Sequence, residues 1–442
     1  MLVFLENVLW LLVLIGVMIN IHELGHFWAA RLFKVRVDVF SIGFGPRLFG
    51  FRRGDTDYRF SAILFGGYVK MAGEQPGDEH GDDPNGLLTK PRWQRLVIAF
   101  AGPFMNIALA VGLLTGLFMV KYQRLADDNK GAVIGYVLPG SAAAKAGIQA
   151  GDRIERMDGK ADPSWEDVNL KEVASAGLAL DVTVSRPGKV INTKVTPVQD
   201  ERSGVGTVGW APKSEIQAVG VSPDMPAGKA GLKQGDLLIS ANGRPVESRY
   251  TLQAIVRGTS GKPVDIVYKR DSVTHEVSIK PEYSSTDGDA HWMIGVQIEE
   301  KVNFITTKLS FPDALRESLV ENRKGATMIF EFLRGMIERR VSTKSLEGPI
   351  GISRLSAEAA KEGPSSFLGL MSVVSLNLAI FNLLPIPILD GGVILLLLVE
   401  ILMGRDLSLQ VKETMLKIGF VFLMMVVVFV LYNDISKVLP RG

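Results

Sequence analysis

The chain of 442 residues contains no cysteine. Disulfides, thiolate metal sites and cysteine nucleophiles are therefore excluded, while the compartment stays open because a disulfide-free protein can reside anywhere. Histidine is scarce too: the sequence has five, His22, His26, His80, His275 and His291. A pair of them four residues apart stands out for that reason. An excess of one charge is also missing, since 49 Lys and Arg face 47 Asp and Glu, a formal net charge of +2. Such a balance offers no basic surface, and nucleic acid is not expected as a partner.

Apolar side chains are what the chain has in quantity, 47% of residues, gathered toward its two ends. Leu2–Ile21 is nearly continuous, interrupted by Glu6, Asn7 and Asn20. It has neither the basic start nor the small-residue cleavage site of a secretory signal, so it reads as a retained membrane helix. Leu96–Val120 is long enough to cross a hydrocarbon core of about 30 Å. Phe367–Met403 is interrupted by Asn377, Asn382, Pro385, Pro387 and Asp390. Ile418–Leu431 has no polar side chain but is short, and spans only if its flanks join in. For each run the alternative is a buried core helix.

The fold expected is a polytopic α-helical membrane protein with about four transmembrane helices, which fall within 1–34, 93–120, 367–404 and 405–442. Four crossings put both termini on one side. Residues 31–95 carry eleven Lys and Arg, and the positive-inside rule places them in the cytoplasm. Both termini and the long segment 121–366 then lie outside, and the histidine pair lies near the cytoplasmic side of the membrane.

Segment 121–302 contains an internal repeat. Its first copy reads Gly140-Ser-Ala-Ala-Ala-Lys-Ala-Gly-Ile-Gln-Ala-Gly-Asp-Arg-Ile, followed by Met157-Asp-Gly-Lys. Its second reads Met225-Pro-Ala-Gly-Lys-Ala-Gly-Leu-Lys-Gln-Gly-Asp-Leu-Leu, followed by Ala241-Asn-Gly-Arg. Each is similar to the core of a bacterial PDZ domain: a short helix, a Gly-Asp turn, a strand and an Asp-Gly or Asn-Gly hairpin. Residues 121–213 and 214–302 are thus expected to be two tandem extracytoplasmic PDZ domains. Such domains bind extended peptides by strand addition, or serve as spacers if their grooves are closed. Residues 303–366 look helical and amphipathic, with Ile329, Phe332, Leu333 and Ile337 at helical spacing and Arg334, Arg339 and Arg340 interleaved. They suit a helix on the membrane surface or one packed on the repeat pair.

His22-Glu23-Leu24-Gly25-His26 is an H-E-x-x-H motif. On a helix, residues four apart sit one above the other, so both imidazoles can address one ion. Neutral imidazole suits zinc, and the intervening glutamate can reach a metal-bound water as general base. A satisfied pair of core histidines fits poorly here, because ionisable groups inside a membrane are costly and usually functional.

One protein ligand is still missing. His80 sits in an acidic, Gly-rich loop, and Asp38 sits in the strand-like run Val35–Phe40. Asp390 is favoured, since a carboxylate at membrane depth needs a partner and bound zinc supplies one. Pro385 and Pro387 break the helix beside it, and irregular backbone survives at depth only when buried in protein or lining a cavity. Asp390 could also cap a helix over Val393–Met403. Asn382 could hold substrate backbone or a developing oxyanion, or merely satisfy carbonyls freed by the prolines.

These features, with Gly102-Pro-Phe-Met-Asn106 in the second run and Leu389-Asp390-Gly391 after Asn382, occur together in the site-2 proteases. The chain resembles that family along almost its whole length, the bacterial regulator-of-sigma-E group in particular. The resemblance implies a zinc-dependent intramembrane endoprotease, with Zn2+ on His22, His26 and Asp390 and Glu23 as the catalytic glutamate. It implies substrates that are single-span membrane proteins of the anti-sigma-factor kind, cut during an envelope stress response after an upstream site-1-type protease has trimmed them. Remnant signal peptides are implied as further substrates. The Gly-punctuated stretch Val35–Met71, within a membrane-associated β-sheet region over 35–92, is then expected to align unwound substrate by strand addition. Gly43, Gly45 and Tyr68 are its expected positioning residues, beside Asn377 and Asn382. The alternative is a sheet that only braces the helices. A proteolytically inactive membrane scaffold is one rival function, and an intact Glu23 argues against it. A transporter or metal carrier is a second, and it would call for inverted repeats among the spans, which the sequence does not display.

Overall fold

Hydrocarbon offers backbone polar groups no water, so a segment that crosses a membrane must bond them within itself as helix. The apolar runs do so in the computed structural model, which describes residues 2–74, 83–125, 131–200, 204–284, 291–301, 304–342 and 348–438. The chain divides into two compact units, one built from 1–122, 307–330 and 346–442, the other from 123–306 and 331–345.

In the first unit, α1 (Leu2–Leu32) and α2 (Arg92–Val120) have 31 and 29 residues, and so run about 43 to 47 Å at 1.5 Å per residue. Between them lies a hairpin of β1 (Val37–Arg53) and β2 (Thr56–Met71). Its pairing is irregular, because Val39–Ile42 pairs both with Asp57–Phe60 and with Gly67–Lys70. One stretch of β1 is therefore flanked by β2 on both sides, and Gly67–Lys70 becomes an outer edge. Gly43 and Gly45 turn the backbone there with φ of +94° and +84°, a region open to glycine and strained for other residues. The remainder of the hairpin exposes Leu48, Phe49, Phe51, Ile63, Leu64 and Phe65, an apolar surface suited to lipid rather than water.

In the second unit the repeat folds twice into one arrangement. The first copy orders its strands Trp210–Pro212, Ala132–Val137, Arg153–Met157, Leu180–Arg186 and Lys189–Val195, with helices α3 (Ala142–Lys145) and α4 (Trp165–Ala174). The second orders Val296–Glu300, Ile216–Val221, Leu237–Ala241, Val264–Arg270 and Val273–Ile279, with α5 (Pro226–Lys229) and α6 (Arg249–Gly258). The Gly-Asp turn has the same cause in both. Buried Asp152 accepts two bonds from Arg186, at 2.7 and 2.9 Å, and one from the Gln149 N–H at 2.9 Å. Asp236 accepts two from Arg270, at 2.7 and 2.6 Å, and one from the Lys233 N–H at 2.8 Å. Each pair is 34 residues apart in sequence. Every copy closes its own apolar core, around Ile134, Ile154 and Val182 in the first and Ile216, Leu238 and Ile266 in the second.

Helices α7 (Phe311–Ile337) and α8 (Pro349–Glu362) follow. Ala326 and Ile329 of α7 pack against Ala110, Leu376 and Ile380 of the first unit. The interrupted apolar run resolves into α9 (Pro364–Asn382) and α10 (Asp390–Met403). The last run becomes α11 (Leu409–Val438), so its flanks do join the helix. Ser375 and Ser372 donate to the carbonyls of Asn106 and Ala110, both at 2.9 Å, and zip α9 onto α2. Among the described residues four helices are long and apolar enough to cross a membrane: Val3–Leu32, Arg92–Val120, Pro364–Asn382 and Leu409–Ser436. With 14 residues, α10 extends only about 21 Å and does not cross alone.

Candidate metal centre

Helical spacing puts His22 and His26 on one face of α1, and α2 passes directly against them. A Cβ at Gly102 would lie 2.3 Å from His26 Nε2 and 2.8 Å from His22 Nε2, so only glycine leaves room for both rings. One turn further along α2, the fully buried Asn106 sets its amide 3.2 Å from His22 Nδ1. His26 Nδ1 stands 2.8 Å from the Ile98 carbonyl oxygen. A carbonyl can only accept, so His26 Nδ1 carries the proton and Nε2 keeps a bare lone pair. Asp390 completes the group. Its Oδ2 is 3.0 Å from His22 Nε2, its Oδ1 is 3.5 Å from His26 Nε2, and the two Nε2 atoms are 3.2 Å apart.

Lone pairs and a carboxylate converging at such distances repel one another unless a proton or a metal cation sits among them. Ligands about 2.0–2.1 Å from zinc at tetrahedral angles stand about 3.3 Å apart. The separations of 3.0, 3.2 and 3.5 Å bracket that value. Asn106 supplies a second sign. Its Nδ2 faces His22 Nδ1, while its buried Oδ1 has no partner among the described residues. The two ends of an amide have the same shape, and exchanging them lets Oδ1 accept a proton from His22 Nδ1. His22 Nε2 is then a lone pair aimed at the same point as that of His26. Two imidazoles, one carboxylate and an open fourth position make the donor set of a catalytic zinc. The residues fit the ion.

Glu23 Oε2 accepts the Val69 N–H at 3.1 Å, so the outer edge of β2 meets the glutamate of the motif. Tyr68, the neighbour of Val69, stacks on Phe44 with ring planes 8° apart and receives a hydrogen bond from Arg59. Asn382 ends α9 and Asn377 lies earlier on it; neither amide makes a hydrogen bond among the described residues. None of Gly43, Gly45, Tyr68, Asn377 and Asn382 belongs to the converging group, whose members are His22, His26 and Asp390.

The other candidates for third ligand stand elsewhere. Asp38 is ion-paired with Arg36 at 3.0 Å, and His80 lies outside the described residues. Asp390 does not cap α10 either, because Leu389 holds that position and Asp390 is the first helical residue. Ile388 just before them adopts φ +88°, rare for a β-branched side chain and a sign that the surroundings dictate this loop. Sequence reasoning missed the Ile98 carbonyl, the Val69 N–H and the part played by Asn106. A polar side chain inside an apolar helix is the one signal that points to Asn106; backbone groups leave none.

One family model and several full-length relatives match this chain nearly end to end. Residues 10–426 match the model of Peptidase family M50. The chain is 31% identical over 463 residues to the regulator of sigma-E protease RseP of Salmonella typhimurium, covering 99% of this chain and 100% of that one. It is 30% identical over 461 residues to the regulator of sigma-E protease RseP of Escherichia coli, with 99% and 100% covered. A PDZ domain of an SdrC-like protein from Listeria monocytogenes is similar to 20% of this chain over 90% of its own length, at 22% identity and a TM-score of 0.18.

Proposed function

The chain belongs to peptidase family M50 and is a multi-pass membrane zinc metalloprotease; we propose that His22, His26 and Asp390 hold its zinc, that Glu23 is its general base, and that it cuts transmembrane segments of single-span proteins. The observation that carries this reading is the convergence of two imidazoles and a carboxylate within 4.8 Å, where α1 and α2, both long enough to cross a membrane, meet the start of α10. Zinc bound there would lower the pKa of water and polarise the scissile carbonyl. Glu23 takes the proton of the attacking water and passes it to the leaving amine. The Val69 N–H orients Oε2, which leaves Oε1 to receive that proton. Ile98 and Asn106 hold the two rings, and Gly102 keeps space for them.

A transmembrane helix hides its peptide bonds in its own hydrogen-bond ladder, so substrate must be unwound and then held. The edge Gly67–Lys70 ends against Glu23, which supports docking of an extended substrate by strand addition. Gly43, Gly45 and Tyr68 shape that sheet. Asn377 and Asn382 offer amides to the substrate backbone or the developing oxyanion. The relatives are regulators of sigma-E proteases, which supports anti-sigma-factor-like substrates and, with them, signal-peptide remnants. The basic stretch 31–95 supports a cytoplasmic side for that segment, with both termini and the two repeats outside.

In this reading the repeat pair is a size filter that holds back untrimmed substrates until a site-1-type protease has acted. Capture of the new substrate C-terminus is the competing role. Removing 121–302 separates them: a filter gives premature cleavage, and a docking site gives lost cleavage. The whole reading is tested by incubating the purified protein in detergent with a single-span substrate and mapping the products by mass spectrometry. Cleavage inside the span is expected; cleavage confined to exposed flanks, with zinc bound, would contradict it.

A further inference from the structure

Apart from Asp390 at its start, α10 carries one charged residue, Glu400, and that residue is 1% exposed. A carboxylate inside an apolar helix does not add stability. Burying it is costly, and even when paired it gains little over an apolar side chain of the same size. Glu400 is tied to three other segments. Lys412 of α11 places Nζ 2.6 Å from Oε1, and the Leu407 N–H donates to the same oxygen at 3.0 Å. Arg95 of α2, itself 7% exposed, brings a guanidinium nitrogen to 3.7 Å from Oε2. Arg95 and Arg92 also reach Asp406 at 3.1 and 2.9 Å, which binds the α10–α11 turn to the first turn of α2.

The place of Arg95 along α2 gives this cluster its meaning. Arg95 lies one turn before Ile98, whose carbonyl orients His26. A single stretch of α2 therefore grips His26 at one turn and α10 at the turn before, while the opposite end of α10 is Asp390.

We propose that the buried Arg95–Glu400 pair is a positioning device for the metal centre: it fixes the axial register of α10 against α2 and so sets Asp390 opposite His22 and His26. The inference rests on the reading of Asp390 as the third ligand. Apolar helix faces in a membrane present similar ridges at every turn and have little to stop them sliding. An ion pair is satisfied at one register only, the role in which buried polar contacts are best attested. Helix runs unbroken from Asp390 to Met403, so a slip at Glu400 is transmitted to Asp390. A slip of one residue moves the carboxylate about 1.5 Å, which breaks a bond of about 2.0–2.2 Å.

The test is zinc affinity of the full-length, detergent-purified protein, measured by competition with a chelator, together with cleavage at saturating zinc. Glu400→Ala is expected to weaken zinc binding about 10-fold, at the lower end of what outer supports of a metal site contribute. Glu400→Gln keeps the size of the side chain and its bond to the Leu407 N–H, and is expected to weaken binding less. A cluster that merely stabilises the fold would lower the melting temperature and leave zinc affinity in the folded protein unchanged. That result overturns the proposal. If Glu400→Ala fails to fold, Arg95→Lys carries the test, because it keeps the charge but not the reach of the guanidinium; wild-type zinc affinity in that variant is equally fatal. Asp390→Ala separates the two layers. Undiminished zinc binding there sinks the ligand reading, whereas zinc lost in Asp390→Ala but kept in Glu400→Ala sinks the positioning proposal alone.

Discussion

Replacing Asn106 with leucine keeps the heavy-atom count and branching of a fully buried side chain and removes the acceptor for the proton on His22 Nδ1. His22 is 6% exposed, so water has little access to take the amide's place. A buried donor left without a partner costs about 1–3 kcal/mol. The cost falls on the tautomer that presents Nε2 to the metal. At about 1.4 kcal/mol per factor of ten, zinc affinity should drop roughly 5- to 150-fold. Packing of α2 on α9 survives, because Ser375 bonds the backbone carbonyl of residue 106 and not its side chain. The melting temperature of the zinc-saturated protein should therefore change little. Asn106→Asp restores an acceptor and should recover affinity. Chelator competition on the three proteins measures the effect, and cleavage at limiting zinc should follow the same order. Wild-type affinity in Asn106→Leu would refute the tautomer argument and leave His22 oriented by some other group.

Three further outcomes are expected elsewhere in the molecule. Val69→Pro deletes the N–H that Glu23 accepts and blunts the free edge of β2; cleavage should fall at least about 10-fold with zinc content unchanged, and parallel loss of both would remove the clamp role. Arg186→Ala strands the buried Asp152 carboxylate and should destabilise the first repeat by about 3 kcal/mol; hydrogen exchange should show protection lost there and kept in the second repeat. Glu172 accepts from the Val208 N–H at 2.6 Å and the Trp210 indole at 2.9 Å, yet burial pushes its carboxyl up by more than these bonds pull it down. A raised acid stabilises fully below its unfolded value and loses that contribution as pH rises through its folded value. Protection of the first repeat should therefore decline as pH climbs out of the ordinary carboxylate range, and Glu172→Gln should flatten the slope.

The spans and the twin repeat are legible in the sequence because both signals are local. A run of apolar residues needs no partner to be read, and neither does a Gly-Asp turn that recurs with its surroundings. Asp390 could be singled out because an ionisable group at membrane depth is expensive wherever the chain folds. The charged flanks of α11, such as Lys412, Glu413 and Asp434, hid its full extent. The groups that orient the histidines were not legible. Asn106, Ile98 and Val69 reach the motif across 84, 72 and 46 residues of chain. Two of them act through the backbone, whose direction is set by packing rather than by residue identity. The double pairing of Val39–Ile42, which makes Gly67–Lys70 an edge, is likewise a matter of register that alternation alone does not reveal.

Metal analysis and cleavage of a single-span transmembrane peptide, with the wild type beside Glu23→Gln, bear most directly on the intramembrane protease reading. Equal zinc in both proteins, with cleavage at least about 100-fold slower in Glu23→Gln, is the expected result. Cleavage by Glu23→Gln at the wild-type rate would contradict it.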